Sequence, residues 1–145
     1  MIRIALSASF LIGLGATAPC RAADISGIWL NNTGDAHIRM AKCGDGTCGT
    51  IVWLKEPKDP KTGKAPTDQH NPDPAKRANP ILGLMVAIDF HSTSAEPNKF
   101  IGRFYNADDG RTYNGSITAA GANELRVEGC LAIFCQAETW TRVKR

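Results

Sequence analysis

Cys43-Gly44-Asp45-Gly46-Thr47-Cys48-Gly49-Thr50-Ile51-Val52-Trp53-Leu54 is the stretch that decides how this chain folds. Gly-Asp-Gly-Thr between two cysteines turns sharply, because glycine accepts positive φ without steric cost. The β-branched and aromatic run that follows reads as a strand. Just upstream, Ala36, Ile38 and Met40 alternate with His37 and Arg39, the period-two pattern of a half-buried strand. The two runs and the turn between them make a hairpin.

The same pattern recurs outward from that hairpin. Asp24 to Leu30 reads as a first strand, stopped by the turn formers Asn31 to Gly34. Downstream, Leu84, Val86, Ile88 and Phe90 alternate with Met85, Ala87, Asp89 and His91. Phe100 to Tyr105 follows a polar turn, and Asn106-Ala107-Asp108-Asp109-Gly110 carries the Asp-Gly hairpin signal. Tyr113, Gly115 and Ile117 alternate with polar neighbours, as do Leu125 and Val127, and a last strand runs from about Cys135 to Val143. The pattern predicts about eight short strands, joined mostly by short turns, with no amphipathic helix. A meander of this kind removes its exposed edges by closing, so the expected fold is an all-β, antiparallel up-and-down barrel. A two-sheet β-sandwich is the alternative. Eight strands enclose a space that side chains can fill or that holds one small ligand.

The chain opens on a basic Met-Ile-Arg, an apolar run from Ile4 to Leu14 and small residues up to Ala22. That is the three-part pattern of a secretory signal peptide over residues 1–22, which leaves a single domain over 23–145. The apolar run is too short to span a bilayer, for which about 20 residues are needed, so no membrane span is expected. Cleavage removes Arg3 and Arg21 and no acid, which lowers the net charge from +3 to +1. A basic nucleic-acid surface is therefore not expected. Cleavage also removes Cys20 and leaves four cysteines, an even number suited to two disulfides in the periplasm or outside the cell. Three pairings are possible. The two local ones, Cys43 with Cys48 and Cys130 with Cys135, are preferred because each joins residues five apart across a turn. Neither pair has the two-residue spacing of structural zinc, and no metal or cofactor is expected.

Lys55 to Gly83 breaks the meander and carries six of the eight prolines. Proline cannot serve a central strand, so this is a long connection, and long connections in compact domains tend to carry function. Its second part, Thr67-Asp68-Gln69-His70-Asn71-Pro72-Asp73-Pro74-Ala75-Lys76-Arg77, concentrates hydrogen-bonding side chains after Trp53. Asp73 and Arg77 lie four apart, so a helical turn starting near Pro74 is expected to bring them together. On a structural reading Asp73 caps that turn and Arg77 pins the loop to the barrel. On a functional reading the loop walls a ligand site, with Arg77 facing an anionic group. The candidate ligand-binding residues are Trp53, Asp68, Asn71, Asp73 and Arg77, with Tyr105 and Tyr113 of the later hairpin.

Cys43-Gly-Asp-Gly-Thr-Cys48, Ile51-Val-Trp-Leu54, Asn71-Pro-Asp-Pro74, Ile81-Leu-Gly-Leu84, Tyr105 to Tyr113 and Thr139-Trp-Thr-Arg142 together resemble the exported bacterial proteins grouped as domain of unknown function 2147. The resemblance covers nearly all of residues 23–145 and implies no particular activity. Gly27-Ile28-Trp29 on the first strand and Arg142 on the last also resemble lipocalin-type barrels. That resemblance implies a tryptophan plugging one end with the arginine over its ring.

Catalytic constellations are sparse. His37, His70 and His91 are scattered, no serine sits in a nucleophile-elbow context, and Asp108-Asp109 belongs to a turn. No catalytic residue is nominated. Leu131-Ala132-Ile133-Phe134 is an apolar tip between two cysteines, expected to bury against the barrel mouth; exposed, it becomes a docking patch. The expected function is a non-catalytic, exported barrel of the cell envelope that binds a small apolar or amphiphilic molecule or lipid. An envelope protein with a filled core, acting through a protein partner, is the second reading, and an enzyme the third.

Overall fold

The computed structural model describes residues 21–144; the signal-peptide reading falls almost wholly outside them. Eight antiparallel strands follow one another as β1 (Gly27–Leu30), β2 (Ala36–Cys43), β3 (Gly46–Leu54), β4 (Met85–Ser92), β5 (Lys99–Asn106), β6 (Arg111–Ala119), β7 (Glu124–Leu131) and β8 (Phe134–Arg142). Each pairs with its neighbour in sequence, and β1 pairs with β8 to close the barrel. The sandwich alternative falls. The only helical element described is a 3-10 turn, Pro74–Lys76.

Alternation puts one set of side chains inside. Trp29, Ile38, Met40, Ala87, Phe90, Phe100, Ile117, Leu125, Val127 and Trp140 form the core. Strand β4 departs from the expected phase. Ala87 and Phe90, three apart, are both buried, whereas Ile88 is only partly so. The cause is a bulge: the ladder with β5 shifts between Ile88 and His91, and Asp89 takes φ 55°. One extra residue reverses the facing of everything after it.

The two ends differ. At the closed end the segment before β1 crosses the barrel, with the Ala23 N–H bonded to the Pro97 carbonyl at 3.0 Å. Trp29 is fully buried there and its indole N–H donates to the Ile25 carbonyl at 3.0 Å. The Arg142 guanidinium lies 4.1 Å from the centre of the Trp29 ring and donates to the carbonyls of Ser26 (2.8 Å) and Ala122 (2.6 Å). Gly27 is required by this plug: its φ is +130°, and a Cβ would collide with the guanidinium.

The open end carries the β1–β2, β5–β6 and β7–β8 turns and the long β3–β4 connection. Closure is short on one side. Strand β1 has four residues against eight or nine in the others, and it meets β8 only at Trp29–Arg142 and Leu30–Thr141. The β7–β8 hairpin therefore projects beyond the last β1 contact. Disulfides Cys43–Cys48 and Cys130–Cys135 both form, as expected, the first at the closed end and the second at the open end.

Candidate functional site

Two of the loop residues singled out in the sequence, Asp68 and Asn71, converge with Tyr105 of β5. Asp68 is fully buried and accepts hydrogen bonds from the Tyr105 hydroxyl (2.7 Å) and the Asn71 side-chain amide (2.6 Å). Tyr105 alternates with the core-facing Phe104 and so stands on the outer wall of β5. The buried carboxylate is thus a clasp that seats the long connection against the barrel. Burial, then the bond to Asp68, push the Tyr105 phenol up to about 12. The clasp also fixes Gly110, where a Cβ would collide with the His70 carbonyl. An isolated bridge, Thr67 to Pro80, closes the neck of the connection.

Asp73 caps the 3-10 turn, accepting from the Ala75 N–H at 3.0 Å. The expected pairing of Asp73 with Arg77 does not form. A 3-10 turn has three residues per turn, which brings i and i+3 together, and Lys76 approaches Asp73 at 3.8 Å instead. Nor does Arg77 tie the loop to the barrel: its Nε donates to the Asn71 carbonyl at 2.8 Å, within the loop. Trp53 has a different partner from the clasp. It stacks on His37 across the β2–β3 ladder, with ring centres 4.2 Å apart.

Apart from Tyr113, the inner wall of the open end was not read from the sequence. Trp140 is buried in the core beside Phe104, so alternation turns Glu138, Gln136 and Phe134 inward as well, yet all three are exposed. The Trp140 indole N–H donates to the Glu138 carboxylate at 2.5 Å. Tyr113 pairs with Phe104 across β5–β6 and donates its hydroxyl to Asp109. That bond to Asp109 is the chief reason its phenol lies above the usual tyrosine range. The signal available was Gln136-Ala137-Glu138-Thr139-Trp140: polar residues in phase with a core tryptophan.

Two further features lie near the closed end. Asp89 and His91, two apart and both exposed on β4, lie with Oδ1 and Nε2 2.8 Å apart. A cleft of about 700 Å³ lies between residues 21–26 and the neighbouring strands, lined by Lys42 and Asp45 and reaching the buried Thr47, Phe90 and Phe100. Glu128, Cys130 and Cys135 are gathered closely, but both sulfurs are committed to the disulfide and cannot ligate a metal. The apolar tip is a correction: Ile133 is 87% and Phe134 77% exposed. The projecting hairpin leaves nothing beside it to bury against. Among the described residues no helix is long and apolar enough to cross a membrane.

The chain belongs to the family described as uncharacterized protein conserved in bacteria (DUF2147), whose model matches residues 27–142. A search of curated proteins finds no match. A solved structure, protein HP1028 from the human pathogen Helicobacter pylori, described as belonging to the lipocalin family, is similar in fold. The TM-score is 0.68 at 18% identity, covering 83% of this chain and 84% of that one. The barrel is thus lipocalin-like.

Proposed function

We propose that this barrel is an exported, non-catalytic protein of the cell envelope that holds a small, partly apolar molecule in its open end. The carrying observation is the contrast along β8. Inward-facing Trp140 is buried, whereas inward-facing Glu138, Gln136 and Phe134 are exposed. An open end floored by aromatic rings and edged by a few polar groups suits such a ligand. Trp140, Phe104 and Tyr113 supply the apolar wall and Glu138 the polar contact, with Arg77 an exposed cation on the same end. Asp68, Asn71, Asp73 and Tyr105 serve this reading as the scaffold of the loop. Trp53 stands outside the ligand set. The 700 Å³ cleft is set aside because Arg21 and Ala22 line it and precede the expected cleavage point. Two paired disulfides are compatible with an oxidising compartment.

Native mass spectrometry of protein recovered from the periplasm without detergent tests the proposal. The expected result is an added mass that Tyr113→Ser removes while the melting temperature holds. Bare protein alone, from fresh and unfractionated periplasm, would turn the reading to the envelope interaction protein.

A further inference from the structure

The outer end of β8 carries backbone groups that no strand answers. Within an antiparallel strand, the N–H and C=O of one residue point the same way, and the direction alternates. The Arg142 N–H bonds toward the β7 side at Asn123, and the Val143 N–H bonds toward β1 at Ile28. Odd-numbered residues of β8 therefore turn toward β1. Of these only Thr141 meets it, opposite Leu30. The N–H and C=O of Cys135, Ala137 and Thr139 point off an edge that is unpaired among the described residues, and every residue from Phe134 to Thr139 is exposed.

Edges of this kind are normally blunted by charged side chains, lysine above all, by proline or by a bulge, and here Glu138 is the single charge. Phe134 to Trp140 contains no lysine, arginine or proline, and it pairs with β7 without a register shift. The Cys130–Cys135 disulfide braces the hairpin at its tip.

We propose that this edge accepts an extended segment of a partner protein as an added strand, with main-chain bonds to Cys135, Ala137 and Thr139. The even-numbered residues then form the pairs without hydrogen bonds, where opposing side chains approach most closely. Phe134 sets an apolar requirement on the incoming strand, Gln136 a polar one and Glu138 a basic one, since Glu138 is the one charged residue of the stretch. Running antiparallel to β8, that strand reads basic, polar, apolar at alternate positions. A second copy of this chain fits less well. A two-fold pairing centred on Ala137 matches the free groups but brings the partner copy's hairpin tip opposite Thr141, where Leu30 already sits. The inference goes beyond ligand binding: it rests on the backbone edge and on the side chains of Phe134, Gln136 and Glu138, the last of which also stands in the proposed ligand site.

The probe is a capped synthetic peptide carrying lysine, glutamine and phenylalanine in that order, separated by threonines. Binding is followed by fluorescence anisotropy, and amide exchange by NMR, on the protein without residues 1–22. In the free protein the amides of Cys135, Ala137 and Thr139 should exchange much faster than those of Gln136 and Glu138, and the peptide should slow the fast three. Ala137→Pro removes a free-edge donor without touching the β7 ladder and should weaken binding by about tenfold or more. Glu138→Lys should transfer preference to the same peptide with glutamate in place of lysine. The proposal is overturned by slow exchange of all five amides in the free protein, by failure of the peptide to protect them, or by binding that Ala137→Pro leaves intact. It is equally overturned if the three amides are protected in the absence of peptide in step with formation of a dimer.

Discussion

Replacing Arg142 by alanine tests the plug at the closed end. The guanidinium does three things: it lies 4.1 Å from the centre of the Trp29 ring and donates to two carbonyls, Ser26 at 2.8 Å and Ala122 at 2.6 Å. A partly buried cation–π contact is worth about 1 kcal/mol. A hydrogen bond from a charged donor is worth about 1.5–3 kcal/mol when shielded, and less where water can replace it. The Ser26 bond is partly buried and the Ala122 bond exposed, so the pair contributes about 2 kcal/mol. The expected loss is therefore about 3 kcal/mol, or roughly 10 °C in melting temperature for a domain of this size. Urea unfolding followed by tryptophan emission measures it, and the slope with denaturant should stay unchanged. Arg142→Lys, which keeps the charge but loses the planar fork, should recover less than half of the loss. A midpoint within about 0.5 kcal/mol of the parent, at equal slope, refutes the plug as a stabilising device.

Four other outcomes follow from the geometry. Peptide mapping without reduction should find only Cys43–Cys48 and Cys130–Cys135, and each short ring should contribute about 2 kcal/mol by chain entropy; a Cys43–Cys130 peptide would contradict the fold. Tyr105→Phe strips one donor from a fully buried carboxylate and should cost about 1–3 kcal/mol in chemical denaturation. The Tyr105 phenol is raised in the folded state, so its contribution is fully present below the unfolded value near 10 and is lost as pH rises toward about 12. Tyrosinate absorbance should accordingly rise above the ordinary tyrosine range, with the Tyr105 step displaced toward about 12. Arg77→Ala removes a single bond within the loop and should lower the melting temperature by no more than a few degrees.

The barrel was legible because its strands alternate and its turns carry glycine, asparagine and aspartate. Both disulfides followed from cysteines five apart across a turn, and the Trp29–Arg142 contact from the resemblance to lipocalin-type barrels. Strand β4 misled because a bulge changes facing without changing composition, and Asp89, with φ 55°, carries no turn partner such as glycine to announce it. The Asp73–Arg77 pair failed on helix type: three residues of 3-10 geometry cannot bring i and i+4 together. The tip Leu131 to Phe134 was expected to be covered because apolar turns usually are. Its exposure depends on β1 ending at Leu30, a property of strand length that local composition does not encode. Glu138 escaped notice for a related reason. Only its phase with Trp140 places it inside, and that tryptophan's burial had to be known first.

The claim that the open end holds the ligand is tested most directly by mapping chemical shifts while lauric acid is added to the protein without residues 1–22. Saturable changes are predicted at the Trp140 indole N–H, Tyr113 and Glu138, with the Trp53 indole and the closed end unmoved. Changes confined to Lys42, Thr47 and Phe100 around the cleft beside residues 21–26 would contradict the account.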